Sequence, residues 1–201
     1  MDNARALPFR LILASASPAR RELMERAGYS FEVIPSHVDE PTEPLGEGIR
    51  GLVQHVSWLK AAAVARTIDE GAIIAADSLA WLHDQPIAKP ADEADARRIL
   101  RTLSGTTHEL WTGVCLWRRP DDMQVIWQER SRVAFRTLSD AELDTYLATR
   151  QWEGCSGAYA IQEKDDPYVQ VVEGSASNVI GLPMESLERA LGWMATWFKS
   201  V

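Results

Sequence analysis

The amino-acid sequence predicts an α/β fold in which a central mixed β-sheet is flanked by helices. A five-residue apolar run at 72–76, bounded by Gly71 and Asp77, is typical of a buried strand in such a fold. Amphipathic helical patterns alternate with strand patterns along the chain. Two longer strand patterns, at 108–117 and 125–136, are joined by a short turn and predict an antiparallel hairpin. The sheet is therefore expected to contain both strand directions.

The first half of the chain predicts two strand–helix pairs. Ser17 and Pro18 supply an N-cap and a proline at the first helical position, and Gly28 is typical of a helix end. Apolar residues then recur at helical spacing from Ile49 to Thr67. The predicted elements are a strand at 10–14, a helix at 18–28, a strand at 31–34 and a helix at about 49–68.

The second half predicts further helices and short strands. Ser139 and Glu142 form a capping box at the start of a helix. Trp193 and Trp197 are one turn apart on the last helix and predict a stripe in the core or in a dimer interface. Besides the hairpin, the predicted elements are the strand at 72–76, a turn at 83–85, helices at 92–103, 139–149 and 184–198, and short strands at 159–162 and 168–172.

The composition is that of an ordinary globular protein. Of the 201 residues, 46% are hydrophobic and 25% are charged, which is enough for one buried core, and we expect a single domain over residues 1–201. The net charge of −8 argues against a broad nucleic-acid-binding surface. The two cysteines and four histidines lack zinc or disulfide spacing. The apolar stretch at 11–14 is too short to span a membrane, and we expect a cytoplasmic protein.

Lys60 lies on the apolar stripe of the helix predicted at 49–68, one turn after Val56 and one turn before Val64. An ammonium group at such a position must be paired, or its stem must carry it out to solvent. The pattern alone leaves both alternatives open.

The segment at 15–21 connects the first strand to a helix N-terminus and predicts an anion site. Exposed backbone amides and the helix dipole favour negative charge there. Ser15 and Ser17 add hydroxyl donors, and Arg20 adds a bidentate phosphate donor. The segment lacks the glycines of a Walker A loop. A solvated basic first turn is the alternative interpretation.

Two acidic residues predict a metal-assisted site. Asp77 directly follows the strand at 72–76, at the edge of an α/β sheet where ligand chemistry is usually placed. If Glu40 approaches Asp77, the two carboxylates can share a magnesium ion. Lys60 and Lys89 would then supply positive charge where phosphoryl charge develops. The alternatives are a capping aspartate, a solvated loop glutamate and an ordinary surface lysine.

Taken together, these motifs resemble those of the Maf family of nucleoside triphosphate pyrophosphatases. The resemblance extends from about Leu11 to Leu191 and depends on the order and spacing of several short motifs. The motifs are Leu13-Ala14-Ser15-Ala16-Ser17-Pro18 with Arg20, Val38-Asp39-Glu40, Lys60-Ala61, Ala76-Asp77-Ser78, Lys89-Pro90, Leu103-Ser104-Gly105, Thr112-Gly113-Val114, Gly157-Ala158-Tyr159-Ala160-Ile161-Gln162 and Val179-Ile180-Gly181-Leu182-Pro183.

The resemblance implies a single elongated α/β unit with a nucleotide cleft, commonly a homodimer. Its implied activity is hydrolysis of a nucleoside triphosphate to the monophosphate and pyrophosphate with a divalent cation, Mg²⁺ or Mn²⁺. Asp77 would be the proton acceptor. The resemblance assigns catalysis to Asp77, Lys60 and Lys89, metal binding to Glu40 and Asp77, and substrate binding to Ser15, Ser17, Arg20, Ala19, Ser78 and Gln162.

Three of these positions help to set base choice in the family. Ala19 stands where the family usually carries arginine, and Ser78 stands where the thymidine/uridine branch carries threonine. Gln162 matches that branch. Thymidine and uridine triphosphates, or modified forms, are therefore the expected substrates. The alternatives are a pyrophosphatase with another base preference, such as 7-methyl-GTP, and a non-catalytic regulatory protein that binds nucleotides.

Overall fold

Within the described part of the chain, a mixed β-sheet of seven strands with flanking helices confirms the predicted fold class. The computed structural model describes residues 5–41, 48–161 and 166–198. The strands are β1 (Leu11–Leu13), β2 (Glu32–Val33), β3 (Gly71–Leu82), β4 (Gln85–Ile87), β5 (Thr107–Arg119), β6 (Met123–Phe135) and β7 (Val169–Glu173). The helices are α1 (Pro18–Arg26), α2 (Ile49–Ala65), α3 (Glu93–Leu103), α4 (Asp140–Ala148), α5 (Ala176–Ile180) and α6 (Met184–Phe198).

The strand order is β2-β1-β3-β5-β6-β7, and β4 pairs with β3. The chain divides into two units, of which unit 1 comprises residues 1–77, 112–128 and 181–201, and unit 2 comprises residues 78–111 and 129–180. Strands β3, β5 and β6 contribute residues to both units. A single domain over residues 1–201 therefore stays a prediction.

In unit 1, β1 is the central parallel strand. Leu13 pairs with Val33 of β2 and with Ile74 of β3. Helix α2 packs on this part of the sheet, with its backbone close to Gly113 of β5. A Cβ atom at Gly113 would lie 2.2 Å from the carbonyl oxygen of Val53, so only glycine allows this approach. This close contact fixes the distance between α2 and the sheet, and with it the position of the side chains on α2.

Strand β3 is longer than the apolar run predicted. It continues through Asp77 to Leu82 and turns into β4, with Ala80 opposite Ile87. His83 and Asp84 have φ values of 50° and 60°, as a two-residue type I′ hairpin turn requires. The placement of Asp77 at the strand's end was therefore wrong. Asp77 lies inside β3, beyond the register with β1, which ends at Ile74.

Unit 2 contains α3, α4, α5 and β7. The capping box of Ser139 and Glu142 at the start of α4 is confirmed. The strand predicted at 159–162 is wrong for residues 159–161, which follow a single 3-10 turn at Ser156–Ala158, and Gln162 lies outside the described residues. Tyr159 is buried because its ring packs edge-on against Phe135, and it is not part of the sheet.

The described helices include none with the length and hydropathy to cross a membrane. On α6, Trp193 and Trp197 are 51% and 49% exposed, and their ring centroids are 6.3 Å apart. The core alternative for this stripe is therefore wrong, and the dimer alternative stays a prediction.

A buried histidine makes the stability of the fold depend on pH. His108 on β5 is 1% exposed, and its Nε2 lies 2.8 Å from the Tyr159 hydroxyl. Burial lowers the pKa of His108 from 6.5 to about 4, so the folded protein holds it neutral where the unfolded chain would protonate it. We expect this group to reduce the free energy of unfolding as pH falls from about 6.5 to about 4, by about 3 kcal/mol in all.

Urea unfolding at about pH 7, 6 and 5 measures this dependence. Asparagine at position 108 cannot take up the proton, so His108→Asn should flatten the curve while lowering stability at neutral pH. The matched control is His83→Asn, which removes an exposed histidine from a turn position that asparagine tolerates. Equal slopes in the wild type and His108→Asn would contradict the prediction.

Candidate active site

One ammonium group holds two carboxylates together in unit 1. Lys60 Nζ lies 2.9 Å from Asp77 Oδ1 and 2.9 Å from Glu40 Oε1. The side chains of Lys60 and Asp77 are 9% and 15% exposed, and that of Glu40 is 46% exposed. The sequence left Lys60 either paired or extending to solvent, and the structure gives it two partners.

Three elements place these groups. Lys60 lies on the buried face of α2, one turn from Val56 and Val64, so its stem is packed and its ammonium is directed by the helix. Asp77 projects from β3, and Glu40 comes from the segment after β2. Because an unpaired buried charge is costly, the two carboxylates stabilise the ammonium, and the ammonium suppresses their mutual repulsion.

The loop between β1 and α1 is held together by two serine hydroxyls. Ser17 is the N-cap of α1, and its Oγ accepts from Arg20 N at 3.4 Å. Ser15 Oγ accepts from Ser17 N and from Arg20 Nη1, both at 3.2 Å. Both hydroxyls thus accept hydrogen bonds within the loop, and a serine hydroxyl that accepts still has one proton of its own to donate. The predicted N-cap is confirmed, and the anion site stays a prediction.

Arg20 is fixed by a contact that sequence reasoning missed. Its Nε donates to the carbonyl oxygen of Gly181 at 2.7 Å. The only signal was the Gly181-Leu182-Pro183 motif, to which the pattern gave no role. Burial lowers the pKa of Arg20, and the negative charges of Asp77 and Glu40 act against that lowering. A guanidinium stays protonated at any working pH, so Arg20 places a fixed positive charge within the field of the two carboxylates.

The pair Glu40 and Asp77 fits a magnesium-type ion. Their oxygens converge on one cation, the Lys60 ammonium. Mg²⁺ is usually bound by one or two carboxylates, with water and substrate phosphates as its remaining ligands. The residues described here contain no group of three or more His, Cys, Asp or Glu side chains able to hold a metal. The two carboxylates are the kind of oxygen ligands that such an ion takes from a protein.

Comparison with known proteins identifies the family. The model of the family described as Maf-like protein matches residues 10–194. The chain belongs to the Maf family.

Curated Maf relatives align over nearly the full chain. A protein of Anaeromyxobacter sp. (strain Fw109-5) named "dTTP/UTP pyrophosphatase" is 43% identical over 92% of this chain and 91% of its own. A protein of Rhodopirellula baltica with the same name is 39% identical over 92% of this chain and 82% of its own. A third, from Bacillus cytotoxicus, is 38% identical over 90% of this chain and 94% of its own.

Among solved structures, the Staphylococcus aureus Ham1 protein superposes on 63% of this chain and 71% of its own, with a TM-score of 0.43 and 17% sequence identity. A similarity at this level says nothing about activity.

The remaining residues singled out by the Maf resemblance have simple surroundings. Ala19 is half-buried in the first turn of α1, and Ser78 is half-buried on β3 next to Asp77. Lys89 is exposed and follows β4 by two residues. Unit 1 thus brings together Ser15, Ser17, Arg20, Glu40, Lys60 and Asp77, while Ser78 and Lys89 belong to unit 2.

Proposed function

We propose that this protein hydrolyses nucleoside triphosphates to the monophosphate and pyrophosphate, with dTTP and UTP as its preferred substrates. The observation that carries the proposal is the buried Lys60, which pairs with both Asp77 and Glu40 in the same unit as the Arg20 loop. Such a cluster provides a base, a cation-binding pair and phosphate-binding charges. The names of the Maf relatives supply the substrates.

Asp77 is the proposed general base. It accepts a proton from water as the water oxygen bonds to the α-phosphorus. The bond between the α-phosphorus and the bridging oxygen breaks, and the electron pair leaves with pyrophosphate. Lys60 donates a hydrogen bond to the Asp77 carboxylate and so orients it. The Lys60 ammonium also supplies positive charge close to the reacting phosphate.

Glu40 and Asp77 are the residues that would hold a divalent cation, Mg²⁺ or Mn²⁺. When bound, such an ion neutralises phosphate charge and increases the electrophilicity of phosphorus. Arg20 would attract a phosphate oxygen through the fixed positive charge of its guanidinium group, and Ser15 and Ser17 would donate their hydroxyl protons. The Maf resemblance also assigns phosphate binding to Lys89.

The test is pyrophosphate release from a panel of ribonucleoside and deoxyribonucleoside triphosphates, with and without magnesium or manganese. We expect release from dTTP and UTP that requires the added cation and is lost with chelator. A regulatory, non-catalytic protein would bind the same nucleotides without releasing pyrophosphate. Release of single orthophosphate instead of pyrophosphate would contradict attack at the α-phosphorus.

Base selectivity gives a further prediction. Ala19 and Ser78 are smaller than the arginine and threonine usual in relatives, and a missing methyl or methylene contact is worth about 1–3 kcal/mol of discrimination. Gln162 still offers a donor and an acceptor to a pyrimidine edge. We expect the double variant Ala19→Arg/Ser78→Thr to sharpen the preference for dTTP and UTP over purine triphosphates by about tenfold in kcat/KM.

Competition between dTTP and dGTP in one reaction measures that preference directly. The control is Ala148→Arg, which adds the same side chain at an exposed residue of α4 outside these motifs. An unchanged substrate ratio in the double variant, or a wild-type enzyme strictly selective for one purine, would contradict the prediction.

A homodimer and a cytoplasmic location complete the proposal. The homodimer is drawn from the Maf resemblance, and the exposed Trp193 and Trp197 support an interface on α6. The cytoplasmic location is drawn from the sequence, in which the apolar stretch at 11–14 is too short to span a membrane.

A further inference from the structure

A serine hydroxyl bridges the two strands of the β3–β4 hairpin. Ser156 Oγ donates to the carbonyl oxygen of Ile87 at 2.7 Å and accepts from the backbone N–H of Ala80 at 3.0 Å. Ala80 and Ile87 are directly opposite each other in the antiparallel register. Ser156 therefore attaches a third segment of unit 2 to the open end of this hairpin.

The hairpin needs such support at this end. β4 has only three residues, and its middle residue, Pro86, lacks the N–H of a ladder hydrogen bond. Gln85 and Pro86 are exposed, as are Ala88 and Lys89 beyond the strand. A short two-stranded ribbon is marginally stable alone, so little within β4 fixes the chain that leads to Lys89.

The segment that carries Ser156 is itself firmly held. Gly157, at φ 80°, donates its N–H to the carbonyl oxygen of Ala88 at 3.4 Å. Ala158 is fully buried, and the Tyr159 hydroxyl is 2.8 Å from His108 Nε2. Ser156 and Gly157 thus connect two consecutive backbone carbonyls, those of Ile87 and Ala88, to a buried part of unit 2. Lys89 is the next residue.

We propose that Ser156 is a positioning residue that fixes the backbone before Lys89 and so holds the Lys89 ammonium ready for a phosphate. The inference rests on the proposed function, in which Lys89 binds phosphate. Ser156 itself touches neither substrate nor reacting atoms, and its effect on catalysis passes through Lys89.

Two variants of Ser156 separate its hydroxyl from its volume. Ser156→Ala removes both hydrogen bonds, and Ser156→Thr keeps a hydroxyl. We expect Ser156→Ala to lower kcat/KM for dTTP about fivefold to tenfold, because a net hydrogen bond is worth about one factor of ten, with the larger share in KM. Ser156→Thr should recover most of that loss.

A double-mutant cycle with Lys89→Met tests the route of the effect. If Ser156 acts through Lys89, adding Ser156→Ala to Lys89→Met should change kcat/KM less than twofold. Ser139→Ala is the matched control. It also removes a hydroxyl that accepts from a backbone N–H in unit 2, in this case at the N-cap of α4. It should lower stability without changing the β3–β4 hairpin. We expect its kcat/KM to equal that of the wild type.

Equal losses from Ser156→Ala in both backgrounds, or an equal loss from Ser139→Ala, would overturn the proposal, as would a Lys89→Met enzyme with normal kcat/KM. Hydrogen–deuterium exchange gives a readout that does not depend on activity. Ser156→Ala should speed exchange in the peptide covering 85–89, and Ser139→Ala should not. Unchanged exchange in this peptide would contradict the positioning role even if the enzyme is active. Absence of pyrophosphate release by the wild type would contradict the proposed function alone.

Discussion

The Asp77→Asn variant is expected to lose about 10²–10⁴-fold in kcat, the range typical for loss of general acid–base catalysis. The carboxamide keeps the size and shape of the side chain but has little basicity, so water attacking the α-phosphorus loses its proton acceptor. Affinity for nucleotide should fall much less, because the proposed phosphate contacts come from Arg20, Ser15 and Ser17, whose loop belongs to the same unit and is left unchanged. Steady-state kinetics on dTTP measures the first effect, and calorimetric binding of a non-hydrolysable analogue measures the second.

The matched control for this variant is Asp144→Asn. Asp144 also accepts a hydrogen bond from a cationic side chain, that of Arg97, but it is exposed on α4. Its kcat should match that of the wild type. If Asp77→Asn turns over dTTP at close to the wild-type rate, Asp77 is not the base, and the ion pair with Lys60 is structural.

The sequence predicted those features of the site that depend on periodicity and local chemistry. The stripe of α2 showed that Lys60 faces inward, and Ser17-Pro18 located the start of α1 to the residue. In both cases the information lies within a few residues of chain, where helical spacing and capping rules apply. The fold class followed in the same way from alternating patterns.

Contacts between distant segments could not be predicted. Periodicity left Lys60 either paired or extending to solvent, and it could not choose between them because its partner Asp77 is seventeen residues away on a different element. The continuation of β3 past Asp77 was missed because two polar residues interrupt its apolar run, while backbone pairing with β4 keeps the strand intact. The bridge from Ser156 to Ala80 and Ile87 was missed for a related reason. A serine hydroxyl can form hydrogen bonds with any backbone groups that the fold brings close to it, and no residue spacing in the sequence predicts which groups these are.

Lys60→Met is expected to lower kcat by about 10²–10³-fold, the usual effect of removing one group that stabilises developing charge. Methionine keeps most of the stem, so the packing of α2 should change little. Stability should nonetheless fall, because the variant leaves the half-buried Asp77 carboxylate and that of Glu40 facing each other without their cation. Leaving a buried acceptor without its partner costs about 1–3 kcal/mol, and the exposure of Glu40 places the expected loss near the lower end.

A second substitution separates the two roles of Lys60. Glu40→Gln removes one of the two negative charges that repel each other in Lys60→Met. The double variant Lys60→Met/Glu40→Gln should therefore regain much of the stability lost to urea. Its kcat should stay as low as that of Lys60→Met or fall further. Added magnesium should likewise restore stability to Lys60→Met, because a hard cation neutralises the same carboxylates. Normal kcat in Lys60→Met, with only stability reduced, would show that the ammonium is a structural counter-ion. An unchanged stability with collapsed kcat would show instead that the carboxylates relax into solvent once the lysine is gone, and that only the catalytic role of Lys60 is real.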